Sequence, residues 1–234
     1  MRDNPGGIME VFNQFMNNLL PRRRLLFTLV HYGGRESQLR TSGRDDYRLD
    51  VEIVVLINAR SGSASEMFAV AMMEAGGFEV IGTTSMGKGV GQSLMEIGDG
   101  ILSINTWEAV PPSGNPYDGY GVTPTIYVEA PEFYYFSHLH LGRGVVLEYD
   151  MVDSRISNAQ LILDALGYGV VRTDGYFDTS TVEAVRLFQQ NNDLNETGYL
   201  NSETATALSL ALVEKIQNPE DDLQLLAAID FLID

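Results

Sequence analysis

Apolar residues recur at helical spacing over residues 8–20, where Ile8, Val11, Phe12, Phe15, Met16, Leu19 and Leu20 fall on one face. The turn Asn4-Pro5-Gly6-Gly7 stands just before them and predicts a helix N-terminus there. Residues 25–32 read as a strand, 33–50 as a polar excursion and 51–57 as a buried strand. Residues 63–75 have helical composition and are stopped by Gly76-Gly77. A short strand follows at 78–82, then a glycine-rich turn at 87–90. Residues 92–97 and 101–110 read as paired strands joined at Gly98-Asp99-Gly100, with a last strand at 122–128. Strands alternate with helices, which predicts an α/β layer structure.

From residue 152 the pattern changes to helix and turn. A repeat at a spacing of 23 aligns Asp174-Gly175-Tyr176-Phe177-Asp178 with Thr197-Gly198-Tyr199-Leu200-Asn201. Each copy is a glycine turn, an aromatic, an apolar residue and an Asp or Asn that can cap the helix after it. The predicted division is therefore an α/β core at 1–131, a linker at 132–151, a small all-α domain at 152–217 and an acidic tail at 218–234. The linker contains the aromatic run Phe133-Tyr134-Tyr135-Phe136.

Composition narrows the function. The chain has 234 residues, 44% of them hydrophobic, which suits packed cores rather than disorder. No run of 18 apolar residues exists, so no membrane span is encoded in this stretch. There are no cysteines, which removes disulfides, thiolate metal ligands and a thiol nucleophile. The net charge is −17 and is uneven. Residues 1–131 hold 10 Lys and Arg against 15 Asp and Glu, and the remainder 5 against 17. Nucleic acid is an unsuitable partner for such a surface, because phosphates bind Lys and Arg.

Two segments carry candidate chemistry. Ser63-Ala64-Ser65-Glu66 lies between a strand-like and a helix-like stretch and fits a capping box. A serine at such a turn is also where a nucleophile can sit, because backbone N–H groups at a helix start can hold an oxyanion. Lys88 follows 25 positions later in Gly87-Lys88-Gly89, and Gln92 could hydrogen-bond its amine without adding charge. A lysine kept neutral by burial can take a serine proton. The alternatives are a plain helix cap and a solvated lysine. His138 and His140 could share a strand face, but without cysteine or a clear carboxylate partner they do not predict a metal site.

Four separated segments together resemble one family, the carboxyl-terminal processing (tail-specific) serine peptidases. They are Arg2-Asp3-Asn4-Pro5-Gly6-Gly7, residues 55–66 ending in Ser-Ala-Ser-Glu, Gly87-Lys88-Gly89 with Gln92, and Pro112-Ser113-Gly114 followed by Gly121-Val122-Thr123-Pro124. The resemblance implies a layered sheet-and-helix peptidase core of the crotonase and Clp-protease kind. It implies Ser63 as nucleophile, Lys88 as general base and Gln92 as its positioner, with backbone N–H groups of Ala64 and of Gly6 or Gly7 as the oxyanion hole. Protein or peptide substrates cut near their C-termini are the implied targets, with no metal or organic cofactor. The family's PDZ domain, and the strand expected before Arg2, are not in this sequence, so the core is expected to be incomplete at its N-terminus. A non-catalytic binding or scaffolding module is the alternative.

Residues 154–212 resemble a second family, the small helical peptidoglycan-binding domains, through Ala159-Gln160, Leu163, Leu166-Gly167-Tyr168, Thr181, Ala184-Val185, Phe188-Gln189 and the two glycine turns. Peptidoglycan is the implied partner, and an extracytoplasmic bacterial cell envelope the implied location.

Overall fold

A computed structural model describes residues 1–43 and 51–233; residues 44–50, the end of the expected polar excursion, lie outside the described residues. The chain divides into two compact units, Met1–Glu129 with Leu223–Asp234, and Ala130–Asp222.

The first unit is α/β. Helix α1 (Met9–Leu19) turns Phe12 and Met16 inward, as the apolar spacing requires. Strand β1 (Leu25–His31) follows, and then β2 (Glu36–Arg40), which the sequence reading placed in a loop. Four of the five β2 residues are exposed, so no apolar alternation announces the strand. Backbone pairing with β1, from Leu25↔Arg40 to Val30↔Glu36, makes it one. Strand β3 (Val54–Ile57) leads through α2 (Ala64–Ala71) and a π-helical turn, Met72–Gly76, to β4 (Glu79–Gly82). β3 and β4 are parallel neighbours, so the helix is the crossover that such a pair needs. Strands β5 (Val90–Ile97) and β6 (Gly100–Val110) form a hairpin.

The strands make two sheets, in the orders β2-β1-β6-β5 and β3-β4-β7, where β7 is only Ile126–Tyr127. The expected strand at 122–128 is this short because Pro124 has no N–H to give to a ladder. Thr125 replaces the missing rung: its hydroxyl accepts from Val80 N–H and donates to Val80 C=O, both at 2.9 Å. Phe12, Met16, Leu20, Leu26, Phe27, Val55, Ile57, Met67 and Val80 form the core. Each large side chain buried there contributes about 1.5–3 kcal/mol over exposure.

The second unit is helical: α3 (Ser154–Ala165), α4 (Thr179–Asn191) and α5 (Ser202–Gln217). Asp153, Asp178 and Asn201 cap them, each accepting from a backbone N–H in the first turn. The 23-residue repeat has a matching internal bond pattern. Buried Gln160 accepts from Gly175 N–H at 3.0 Å and donates to Tyr176 C=O and Thr181 Oγ1, both at 2.8 Å. Gln189 does the same in the second copy, with Gly198, Tyr199 and Thr204. Each amide satisfies a glycine turn that no regular ladder reaches.

Two expected boundaries change. The stretch 132–151 is part of the second unit rather than a linker. Leu139, Leu141 and Leu147 are buried in its core, and Leu147 and Leu200 exchange backbone hydrogen bonds at 2.9 and 2.8 Å. The aromatic run is a short 3-10 helix, Glu132–Tyr135, and His138 and His140 are exposed in a segment that is not a strand. Nor is 218–234 an acidic tail. After a 3-10 turn at Pro219–Asp221, helix α6 (Leu223–Ile233) belongs to the first unit. Its Gln224 is fully buried, accepts from the Arg2 guanidinium at 3.2 Å and donates to Val128 C=O at 2.8 Å. Glu220, Asp221 and Asp222 precede the helix, and apolar side chains dominate the helix itself, which carries the single acidic residue Asp230.

Candidate functional site

The chain leaves β3 at Ile57 and must turn sharply to enter α2. Ser63 makes that turn with φ 54° and ψ −120°, a conformation that costs a non-glycine residue of order 1–3 kcal/mol. Its backbone N–H is held at 2.8 Å by Glu66 Oε2. That is the half of the capping box in which the glutamate reaches back.

Glu66 does more than cap. It is fully buried and its carboxylate accepts four hydrogen bonds. Oε2 takes the N–H of Ser63 and of Lys88, each at 2.8 Å. Oε1 takes the hydroxyl of Ser85 at 2.5 Å and the N–H of Gly87 at 2.6 Å. Ser85 Oγ in turn accepts from Val122 N–H at 2.7 Å. One carboxylate therefore joins the Ser63 turn to the Gly87-Lys88 loop. The loop is braced from its other side, where Gly89 N–H donates to Asp118 Oδ1 and Gly119 N–H to Gly87 C=O, both at 2.8 Å. Tyr117 is buried beside this group. Burial first, and then the charges of Glu66, Asp118 and Glu108, push its phenol well above the usual range.

Ser63, Lys88 and Gln92 share one pocket of about 340 Å³, with Gly7, Ala64, Glu10 and Trp107 also in its wall. Lys88 Nζ donates to Gln92 Oε1 at 3.2 Å. Gly91 forms part of the same wall, and a side chain there would meet the Trp107 ring at 1.9 Å, so the indole can approach β5 this closely only because the residue is glycine. A second pocket of about 370 Å³ shares Gly7, Ile8 and Ala64 with the first; Val11, Phe12, Phe15 and Phe68 make it largely apolar.

The segment before α1 is pinned against the Ser63 loop. Asn58 Oδ1 accepts from Asp3 N–H at 3.1 Å, Ser61 Oγ donates to Met1 C=O at 2.9 Å, and Gly62 N–H donates to Asn4 C=O at 3.0 Å. Gly6 has φ 102°, and a Cβ there would stand 2.6 Å from Gly62 O and 2.8 Å from Ala64 N, so only glycine brings this turn so close. Its N–H already donates to Asn4 Oδ1 at 2.9 Å. Of the three expected oxyanion donors, Gly6 is thus engaged elsewhere, while Gly7 and Ala64 both line the pocket.

Sequence reading found Ser63, Lys88 and Gln92 and saw Glu66 only as a cap. The Glu66 partners at Ser85, Gly87 and Lys88 lie 19 to 22 positions away, beyond any local pattern. Asp118 and Trp107 were likewise not assigned to the site.

Ser63 at its strained strand-to-helix turn, Lys88 with its Gln92 partner, Gly7 and Ala64 thus line one pocket of the α/β core. Residues 1–128 match the model of peptidase family S41, and the chain belongs to that family. Residues 152–208 match a second model, described as "Putative peptidoglycan binding domain". Among named relatives, the carboxy-terminal processing protease CtpB of Bacillus subtilis is 30% identical over 99% of this chain and 48% of its own length. A probable CtpA-like serine protease of Staphylococcus aureus is 29% identical over 98% of this chain and 46% of its own. The chain thus spans about half the length of the curated relatives it matches. The solved photosystem II D1 C-terminal processing protease superposes with a TM-score of 0.47 at 23% identity, over 55% of this chain and 33% of that one.

Proposed function

We propose that the first unit is the hydrolytic core of a serine endopeptidase with a Ser63–Lys88 dyad. The Lys88 amine takes the Ser63 Oγ proton as Oγ bonds to the carbonyl carbon of the scissile peptide. The oxyanion formed is received by the N–H groups of Gly7 and Ala64. Collapse of the intermediate breaks the C–N bond, and the leaving amine takes the proton back from Lys88. Water, deprotonated by the same amine, then attacks the acyl ester; the C–Oγ bond breaks, Oγ takes the proton back from Lys88, and the acid product leaves with Ser63 restored. Gln92 positions the amine. This chemistry draws only on side chains and backbone.

The observation that carries this reading is the buried Glu66 carboxylate that ties the Ser63 turn and the Lys88 loop into one pocket. The names of the relatives support substrates cut near their C-termini, and the match at 152–208 supports peptidoglycan as the second unit's ligand and the bacterial cell envelope as the location. No helix among the described residues is long and apolar enough to cross a membrane.

A fluorogenic peptide assay tests the dyad. Ser63→Ala and Lys88→Ala are expected to abolish turnover while keeping the wild-type circular dichroism spectrum. Cleavage by either variant at the wild-type rate would overturn it. Retention on purified sacculi tests the second unit, and loss of retention to the level of a control protein would remove peptidoglycan from the reading.

A further inference from the structure

Among the described residues, strand β5 is the edge of its sheet, in the order β2-β1-β6-β5. It begins at Val90 in the wall of the Ser63–Lys88 pocket and runs outward to the hairpin tip at Ile97. Natural sheets blunt exposed edges with Lys, Pro or bulges. The one irregularity in the β5–β6 pairing, opposite Gly91 and Gln92, puts the extra residue, Thr106, on β6; β5 beyond it reads Ser93-Leu94-Met95-Glu96-Ile97, with neither Lys nor Pro. Its aliphatic side chains are exposed: Leu94 71%, Met95 51% and Ile97 58%.

The turn Gly98-Asp99 sets which backbone groups are open. A two-residue hairpin closes on a hydrogen-bonded pair, here Ile97↔Gly100, and antiparallel pairs then alternate. Met95↔Leu102 is bonded within the hairpin. Leu94 and Glu96 turn their N–H and C=O toward the open edge.

We propose that β5 is the substrate track of this site: an extended peptide adds to its open edge as a further strand and is thereby led into the pocket with Ser63. The recognised chemistry is an unfolded chain segment with apolar side chains at every second position. Such a segment would set one row of side chains beside Met95 and Ile97, which share their face with Leu102 and Ile104. Main-chain hydrogen bonds supply affinity with little regard to sequence, and the apolar row supplies preference. The occupant follows from continuity, because the edge opens directly into the dyad pocket. This inference rests on the peptidase reading.

The test is a series of one cleavable peptide, each member carrying a single N-methyl amide, assayed with the wild-type chain, together with Leu94→Pro. Leu94→Pro removes an N–H that faces outward and leaves the β5–β6 ladder intact. The expected result is a loss of kcat/KM of about threefold to tenfold at alternate N-methyl positions and little loss between them, the size of one net hydrogen bond. Leu94→Pro should lower kcat/KM by a similar factor through KM, with kcat kept. A flat N-methyl profile on a peptide that is still cleaved overturns the track and leaves the peptidase reading standing, even if Leu94→Pro proves unstable. No cleavage of any peptide by wild type overturns the reading beneath it. Concentration-dependent dimers that Leu94→Pro abolishes, with a flat profile, would assign the edge to a second copy instead.

Discussion

Glu66→Gln puts the clamp between the two halves of the site to its sharpest test, because it removes charge while keeping shape. The amide has one acceptor and one donor where the carboxylate has two acceptors. If the NH2 takes the Oε2 position, it faces the N–H groups of Ser63 and Lys88, and neither can accept. If it takes the Oε1 position, it faces Gly87 N–H, which cannot accept, and the Ser85 hydroxyl, which can turn around. The second orientation strands one buried N–H and is preferred. A buried donor left unpaired costs about 1–3 kcal/mol, and bonds that lose a charged acceptor each weaken by about 1 kcal/mol. With the Ser63 and Lys88 bonds both weakened, the sum is about 3–5 kcal/mol, at or below the lower end of the 5–15 kcal/mol typical of a domain, so the variant should still fold.

Trp107, the single tryptophan, lies in the pocket wall and reports this unit by fluorescence. With a urea slope of about 1–3 kcal/mol per molar, the midpoint is expected to fall by at least about 1 M. Turnover should fall further than stability implies. Gly87 slips from its acceptor, the next residue is Lys88, and a misplacement of about 1 Å can cost about a hundredfold in rate. Glu66→Asp, one methylene shorter, cannot reach all four donors and should not rescue. A Glu66→Gln protein with a wild-type urea midpoint and kcat/KM within twofold would refute the clamp.

Two further predictions concern the second unit. Gln160→Leu keeps the volume but orphans Gly175 N–H and Tyr176 C=O, and should cost about 2–4 kcal/mol, read as a lower midpoint in a melt followed by helical circular dichroism; an unchanged midpoint would show that water replaces the amide. The Arg155 side chain, followed by its backbone N–H, holds the Asp153 carboxyl at a pKa of about 2, below its ordinary 3.8. Stability from this group is therefore full above pH about 4 and is lost as pH falls toward 2. Asp153→Asn should flatten that part of the stability profile, and an unaltered acid slope would remove the pair from the account.

The elements with one clear apolar period were legible from sequence. α1 shows it in residues 8–20, and the caps Asp178 and Asn201 announce α4 and α5. β2 was not legible because an edge strand with four exposed residues needs no apolar face, only the backbone of β1. The stretch 132–151 misled because its three buried leucines are spaced too irregularly to mark a helix or strand, and they fill gaps in a core that other elements build. α6 misled in the other direction. Its acidic approach dominates the local composition, while its place beside the first unit depends on Arg2 and Val128, more than 90 positions away.

The site divides in the same way. Ser63, Lys88 and Gln92 stand in short motifs, whereas the device that joins them is a tertiary one. Glu66 belongs to the serine motif by spacing and to the lysine loop by bonding, and only the fold shows the second membership. The β5–β6 hairpin poses the converse problem. Its apolar residues predict strands with buried faces, and the strands formed, yet Leu94, Met95, Ile97 and Ile101 remain exposed. A hydrophobic pattern records that a face is to be covered and does not say by what. Where the chain's own core leaves it open, and the open edge begins at the pocket with Ser63, the covering chain is best supplied by the substrate itself.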